Sequence, residues 1–355
     1  MKEAPSKHST TPTELLGWHE ADTSNSPEPV LLLQRLRAGY PVEQPIDLSR
    51  AYLLEEDLSG LDLTGACLQG AELGRAKLCE AILTGADLSG ASLYEADLSG
   101  AELSGVDLSQ ANLDSARLRC AVLNKANLSG ATLTNAELQG ATLTEADFSG
   151  ADLRFSCLSD VHARNTNFSD VDLTRAKLFQ ADLEGAQVHS AIMDYVCLRG
   201  ANVSHLSGYK KASWIGVDLR EIDFTGAHLF RNFVLDQNYI EEFRTQSRWT
   251  GILYHLWHIT SDCGRSVKRW AFWTATIVVM FAFLFSLVEI DYGNYPTNLS
   301  ALYFSVVTLT TLGYGDVLPT TAIGQVIVMA EVVTGYVMLG GLLTILSHKM
   351  ASRSN

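Results

Sequence analysis

Through residues 48–203 an apolar residue recurs at every fifth position, most often Leu, with Ala163 as the one small member. A second and smaller residue, usually Ala, lies two positions before each of them, so that a typical unit is Ala-Asp-Leu-Ser-Gly at 86–90. An α-helix repeats at 3.6 residues and a flat strand at 2, so either would spread this stripe over every face. The spacing therefore predicts a chain that turns after each unit and stacks coil upon coil.

The stripe then shifts by one residue, which predicts one extra residue between Ser204 and Ser213. The five-residue spacing resumes at Trp214, Leu219, Phe224 and Leu229. Repeat structures need caps at their ends, and the apolar residues within 28–38 predict a short helix that caps the N-terminal end of the repeat. We expect the rest of residues 1–45 to be partly disordered.

Two later stretches are long and apolar enough to cross a membrane. We predict a first span at about 270–290 and a second at about 322–346, in which Glu331 is the only charged residue. Twenty-one helical residues cover about 31 Å, which matches the hydrocarbon core of a bilayer. Basic residues precede the first span and follow the second, whereas the intervening segment has none. The positive-inside rule then predicts that both termini are cytoplasmic.

Between the two spans lies an apolar stretch too short to cross, followed by Thr-Leu-Gly-Tyr-Gly-Asp at 311–316. A dehydrated K⁺ needs oxygen atoms on all sides to replace its water shell. Backbone carbonyls that point to one axis require unusual dihedral angles, which Gly313 and Gly315 adopt without strain from a Cβ atom. This segment resembles the potassium-channel signature, and the resemblance implies a pore helix and ion filter at about 299–316.

Both regions resemble known families. Residues 46–232 resemble the pentapeptide-repeat family, whose fold is a right-handed quadrilateral β-helix. Residues 270–348 resemble the pore domain of two-helix bacterial potassium channels, through the TLGYGD sequence between two spans. The fold class expected is thus a multi-domain chain, a β-helix followed by an α-helical pore domain with a re-entrant pore helix.

The channel resemblance implies specific roles for the filter residues. The carbonyls of the filter would bind K⁺, Asp316 would lie at the outer mouth, and Thr310 would face the cavity. Four chains would form one pore, because each supplies a quarter of every ring. The filter residues so implied are Thr311, Leu312, Gly313, Tyr314 and Gly315.

Four residues of the second span invite interpretation. Gly335 is either a hinge of the inner helix or a small residue that permits close helix packing, and Gly340 and Gly341 are rival hinges. Glu331 is an acid at membrane depth, which indicates a function by default. It either forms a hydrogen bond behind the filter, which we favour, or faces the cavity.

Residues 233–269 are predicted to be a linker that contains an amphipathic helix at the inner membrane surface. An ordinary helix packed on the end of the repeat is the alternative. The apolar stripe comprises Trp249, Ile252, Leu253, Leu256 and Trp257.

Composition excludes several functions. The chain carries 40 acidic and 26 basic residues, with most of the excess inside the repeat, so nucleic-acid binding is not expected. The outward acidic positions are typical of a solvated face rather than of a DNA mimic. The six cysteines form no CxxC motif, and no nucleophile–base pair is evident. We therefore expect no enzymatic activity, no cofactor, and no metal other than K⁺ at the filter.

The sequence predicts a membrane protein of two spans that forms a homotetrameric K⁺ channel and ends in a cytoplasmic tail at 349–355. The repeat would regulate the pore, or would bind an unidentified cytoplasmic protein or ligand. One alternative is a cation channel of the same architecture that does not select K⁺. The other is a membrane-tethered scaffold whose repeat recruits a partner.

Overall fold

The computed structural model describes residues 27–38, 46–224, 227–264, 266–293, 297–313, 315 and 317–351. The side chains of 27–31 and 348–351 are not described. The chain divides into two compact units: one comprises residues up to 212 with 218–223, and the other 213–217 with the residues from 224 onward. Most of the predicted N-terminal tail (residues 1–26 and 39–45) and the final residues 352–355 lie outside the described residues.

The first unit begins with helix α1 (Pro27–Arg37) and continues as a β-helix. Parallel bridges join residues 20 apart, such as Asp87 and Asp107, so four five-residue units make one coil. The Leu88 amide donates to the Asp107 carbonyl at 2.7 Å, and similar bonds repeat along the stack. The quadrilateral β-helix expected from the five-residue spacing is confirmed.

α1 meets the first coil through its last turn. The Leu33 side chain is buried, and the Arg37 guanidinium pairs with Glu56 at 3.1 Å and donates to the Asp57 carbonyl. The predicted capping position of this helix thus has a physical basis in the contacts of Arg37 with the first coil.

Each five-residue unit ends in a turn whose last residue has a left-handed backbone. At most such corners this residue is Gly or a polar residue, but Phe155 and Tyr195 also adopt φ of 61° and 59°. The second residue of the unit supports the turn, because its side chain accepts the amide hydrogen two residues later. The Asp62 carboxylate accepts from the Thr64 hydroxyl at 2.6 Å and its amide at 3.0 Å, and these bonds lower the pKa of Asp62. The acidic positions of the repeat therefore have a local structural role.

The inward positions fill the interior of the coils. Leu88, Leu128 and nearly all their equivalents are fully buried, and the stacked rings of Phe148 and Phe168 have centroids 5.4 Å apart. Two inward positions carry hydroxyl groups, and both are paired with carbonyls: Ser156 with Leu153 and Thr166 with Leu143. The interior is thus filled without unpaired hydroxyls at these two sites.

The predicted extra residue is confirmed at the end of the regular repeat. Cys197 pairs with Asp218, 21 residues on, and Gly208 (φ 77°) leads into a short 3₁₀ turn at Tyr209–Lys211. The continuation of the stripe to Leu229, and with it the boundary at 232, is wrong. Helix α2 (His228–Thr245) begins before that boundary, and its 3.6-residue period buries Phe230 and Val234 while Leu229 is 45% exposed.

In the second unit, residues 213–217 are held on α2. The Gln237 side chain accepts from the Trp214 amide at 2.9 Å, and Asn238 donates to the Trp214 carbonyl at 2.9 Å. The Trp214 and Phe230 rings meet edge to face with centroids 4.8 Å apart. Helix α3 (Arg248–Ser261) follows and starts at a capping box formed by Ser247 and Thr250.

The remainder of the second unit is a three-helix pore domain. It consists of α4 (Val267–Ser286), strand β1 (Ile290–Asp291), α5 (Ser300–Leu309), strand β2 (Leu318–Pro319) and α6 (Ala322–Ala351). Both α4 and α6 are long and apolar enough to cross a membrane. The predicted first span, 270–290, is displaced: the Ser266 cap starts the helix at Val267, and it ends at Ser286 before the chain enters β1. α6 runs past the predicted end at 346.

Candidate functional site

The re-entrant segment is fixed by packing between the two long helices. α5 contacts both α4 and α6, and β1 pairs antiparallel with β2, which ties the ends of α4 and α6 together. Phe285 is fully buried and its ring lies 4.8 Å from that of Phe304, with Phe281 and Val317 beside them. This aromatic cluster holds α5 at a defined position against α4.

The chain leaves α5 through a short series of hydrogen bonds. The Thr311 amide donates to the Thr308 carbonyl at 3.0 Å, and the Leu312 amide donates to the Val307 carbonyl at 3.1 Å. The Thr310 hydroxyl, which was predicted to face a cavity, donates to the Val306 carbonyl at 2.7 Å. The residues that follow are therefore anchored directly to the end of the pore helix.

Three residues of the predicted filter have left-handed backbones, with φ of 58° at Thr311, 48° at Gly313 and 76° at Gly315. For the two glycines the sequence predicted unusual dihedral angles without naming the left-handed region. The left-handed Thr311 was not predicted, and nothing in the sequence signals it, because a β-branched residue rarely adopts positive φ. Such reversals redirect successive carbonyls, as an ion filter requires. Tyr314 and Asp316 lie outside the described residues.

The predicted filter segment is exposed in the single chain. The Leu312 side chain is 60% exposed, and a Cβ atom added to Gly313 or Gly315 would meet nothing within 4 Å among the described residues. Their glycine requirement therefore comes from the backbone conformation rather than from crowding within the chain.

Glu331 is fully buried and lies against the pore helix. Its Oε1 atom is 2.5 Å from the Ser305 hydroxyl, which is also 2.9 Å from the Val278 carbonyl oxygen. The second carboxyl oxygen, Oε2, has no hydrogen-bond partner within the part of the chain that the structure describes. Of the two positions considered from the sequence, Glu331 takes the one on the side of the pore helix.

The three glycines of α6 considered as hinges have different surroundings. A Cβ atom on Gly335 would overlap the Leu309 carbonyl oxygen, so this residue permits close packing of α6 on the end of α5. Gly341 lies near the Trp270 indole, which would be 3.4 Å from an added Cβ. A Cβ atom added to Gly340 would meet no described atom within 4 Å. The geometry favours the packing interpretation for Gly335.

α3 carries exposed apolar side chains in the predicted stripe, with one correction. Trp257 is half-buried, because its ring packs edge to face against Phe243 at 6.2 Å, whereas Ile259 is exposed in its place. The exposed fractions are 77% for Trp249, 53% for Ile252, 54% for Leu253, 57% for Leu256 and 53% for Ile259.

Two tryptophans near the start of α4 reach in different directions. The Trp273 indole donates to the Ile259 carbonyl of α3 at 3.1 Å, and the Trp270 indole donates to the Met338 carbonyl of α6 at 3.1 Å. Sequence reasoning missed both residues, although paired tryptophans at the start of an apolar helix are a signal that could have found them. They connect α3, α4 and α6.

Within the described residues, no cluster of three or more His, Cys, Asp or Glu side chains could hold a metal ion.

Comparison with known families assigns both regions. Residues within 46–204 match the family described as pentapeptide repeats, in eight copies, and residues 271–352 match the family described as ion channel. A solved structure with a related repeat is HetL, a pentapeptide repeat protein involved in heterocyst differentiation regulation in the cyanobacterium Nostoc. It is 32% identical, with 57% of this chain and 95% of that chain covered and a TM-score of 0.36.

The pore region is similar to curated potassium channels. Two-pore potassium channel 4 of Arabidopsis thaliana is 30% identical over 99 residues, which cover 25% of this chain and 35% of that protein. Probable potassium channel protein 2 of Methanocaldococcus jannaschii is 39% identical over 61 residues, covering 17% and 16% respectively. The chain thus spans about a third or less of these relatives. It consists of a pentapeptide-repeat domain followed by an ion-channel domain of the kind found in potassium channels.

Proposed function

We propose that this chain is the subunit of a potassium-selective channel that conducts K⁺ passively down its electrochemical gradient. The observation that carries the proposal is the left-handed backbone at Thr311, Gly313 and Gly315, directly after a short helix between two candidate spans. Carbonyls released from helical hydrogen bonding in this way are suited to replace the water around K⁺.

The exposed filter supports a homotetramer. Carbonyl oxygens from one chain reach an ion from one side only, so a closed ring of chains is needed to surround it. Most of the apolar surface of α4 and α6 is also exposed in the single chain, since 17% and 11% of their most apolar stretches are buried. Lipid and neighbouring subunits would cover these surfaces.

The purified full-length protein in planar bilayers tests the proposal under opposed K⁺ and Na⁺ gradients. We expect a reversal potential near the K⁺ equilibrium value and block by barium. A reversal potential near zero would instead establish a non-selective cation channel. Native mass spectrometry of the same sample should give the mass of four chains, and a monomer or dimer would contradict the ring.

We further propose that both termini are cytoplasmic. The basic residues Lys268 and Arg269 at the start of α4 support this orientation, since basic residues flank the inner side of spans. In oriented vesicles, the exposed Cys120 of the repeat should react with an impermeant thiol reagent only from the cytoplasmic side. The exposed stripe on α3 would then lie at the inner membrane surface.

The linker helices support a regulatory role for the repeat. Trp273 joins α3 to α4 and Trp270 joins α4 to α6, so a displacement of α3 has a direct route to the inner helix. Deletion of 1–212 tests this role, since it retains the residues 213–217 that are bonded to α2. A deletion up to 232 would cut into α2. A change in the open probability of this deletion variant would support regulation of the pore by the repeat. Unchanged currents would instead favour recruitment of a partner by the repeat.

One observation favours recruitment as the second function. Arg175 lies between two exposed aromatic side chains at the corners of successive coils, 5.9 Å from the Phe155 ring and 5.8 Å from the Tyr195 ring. Both aromatic residues adopt the left-handed backbone that bulky residues disfavour. Exposed aromatic and arginine side chains are frequent in protein interfaces. Substituting Phe155 and Tyr195 by Ser should abolish partner binding without changing conductance.

A further inference from the structure

A single buried hydroxyl connects the three helices of the pore domain. Ser305 on α5 lies 2.9 Å from the Val278 carbonyl oxygen of α4 and 2.5 Å from Glu331 Oε1 of α6. Ser305 and Glu331 are both fully buried. The three groups therefore form a polar chain across an otherwise apolar bundle.

The number of hydrogens available for donation determines whether Glu331 is protonated or ionised. A serine hydroxyl has one hydrogen to donate, and a backbone carbonyl can only accept. An ionised carboxylate also only accepts, so Ser305 would then satisfy either Val278 or Glu331, but not both. A protonated Glu331 removes the conflict, because it donates to Ser305 while Ser305 donates to Val278.

The surroundings disfavour a charge at this position. From Trp270 to Ser347 the sequence contains no Lys or Arg that could pair with Glu331. The other titratable side chains on α4, α5 and α6 between these residues are the phenols Tyr303 and Tyr336. Oε2 has no hydrogen-bond donor among the described residues. A buried charge without a partner is strongly unfavourable, whereas a neutral acid leaves only one carbonyl oxygen unpaired.

The same face of α6 contacts α5 again one turn later. Glu331 faces Ser305, and Gly335 faces Leu309. Gly335 lies four residues after Glu331 on α6, and Leu309 lies four residues after Ser305 on α5. Residues four apart share a helix face. Contact at two successive turns fixes how far α5 is advanced along α6, and the filter begins two residues after Leu309.

We infer that Glu331 is a neutral acid that positions the filter by tying α5 to both membrane-spanning helices through Ser305. The inference rests on the proposed channel function, and it adds that the charge of Glu331 has no part in attracting ions. Glu331 acts through α5 and does not touch the permeant ion.

The test compares Glu331→Gln with Glu331→Leu in the full-length protein. The Gln amide can still donate to Ser305, so K⁺ flux and the K⁺/Na⁺ permeability ratio should stay within about twofold of wild type. Leu cannot donate, and we expect a loss of about tenfold in flux or permeability ratio, as one buried polar contact is left unmade. Ser305→Ala should reduce the difference between the Gln and Leu variants.

Two outcomes would overturn the inference. If Glu331→Gln is as damaging as Glu331→Leu, the carboxylate charge is required. If the Gln and Leu variants both match wild type, the contact does not position the filter.

Infrared difference spectra give a readout that does not depend on conduction or selectivity. Wild type should show the carbonyl stretch of a protonated carboxylic acid, which is absent in Glu331→Gln and shifted in Ser305→Ala. Absence of this band in wild type would refute the neutral acid. The band therefore tests Glu331 even if the protein proves not to select K⁺.

Discussion

The repeat buries its apolar side chains within one chain, whereas the pore domain leaves many of them exposed. Along the β-helix the inward leucines, such as Leu128, are fully buried by their own coil and its neighbours. In the pore domain, Phe283 on α4 and Val337 on α6 are 62% and 69% exposed. The repeat therefore completes its hydrophobic core within one chain, whereas the pore domain leaves apolar surface that lipid and other copies would cover in the proposed channel.

The two regions also differ in how they handle polar groups. Outward acids of the repeat pair with turn amides and hydroxyls of the same unit, as Asp62 does with Thr64. The pore domain buries one acid, Glu331, and connects it to two other helices through Ser305. A single polar contact should therefore matter little in the repeat and much in the pore.

The largest expected effect comes from the core of the repeat. Leu128→Ala should destabilise the repeat by about 2–5 kcal/mol, because neighbouring coils cannot collapse into the space left by a fully buried Leu. Hydrogen–deuterium exchange of the amides within 108–148 should rise in the full-length protein. Leu343→Ala, at a position 60% exposed in the chain, is the matched control and should leave these amides unchanged. Equal exchange in the two variants would show that the repeat core is not self-contained.

A smaller effect is expected at the packing of α6 on α5. Gly335→Ala should lower K⁺ flux by about tenfold, because its Cβ atom would displace the end of the pore helix at Leu309. Gly340→Ala adds the same methyl group where no described atom lies within 4 Å, and Ala favours the helix, so flux should be retained. If the two variants are reversed in severity, Gly340 is a hinge and the packing at Gly335 is unimportant.

The sequence predicts the structure of the repeat more completely than that of the pore domain. In the repeat, two inward residues in every five determine the coil, because local turns and core are specified within each unit. The prediction was wrong where this rule ends, since Leu229 fits the five-residue spacing but belongs to α2, whose period is 3.6 residues. The five-residue spacing alone does not reveal where a helical period of 3.6 residues replaces it.

In the pore domain, residue types indicated which backbone positions are special, but not the contacts between helices. Gly313 and Gly315 were predicted to have unusual dihedral angles, because glycine adopts such a backbone without strain from a Cβ atom. Thr311 was not predicted, and the partner of Glu331 could not be named, because Ser305 is 26 residues away and meets it only through packing. Contacts at that separation depend on how the helices are arranged in space.

A still smaller effect is expected where the linker joins the pore domain. Trp273→Phe removes the indole bond to the Ile259 carbonyl, and its loss should cost about 1 kcal/mol at the junction of α3 and α4. Amide exchange at 259–264 should rise. Trp270→Phe removes a comparable bond to Met338 and serves as the control, for which exchange should rise in α6 instead. An unchanged 259–264 segment in Trp273→Phe would exclude this bond from the coupling route.

The smallest effect is expected at the surface of the repeat, where polar contacts are local. Hydrogen bonds from the Arg220 guanidinium, at 2.7 and 2.9 Å, lower the pKa of Asp218 to about 2. Because the folded-state pKa is depressed, this contact stabilises the repeat above the ordinary pKa of aspartate, about 3.9, and its contribution is lost as pH falls toward 2. Arg220→Gln should raise the pKa of Asp218 toward its ordinary value in a carboxyl NMR titration, and leave that of Asp47, which is lowered by Ser49, unchanged. A pKa of Asp218 that stays near 2 in the variant would mean that the surrounding repeat, rather than one neighbouring side chain, sets the charge state at its surface.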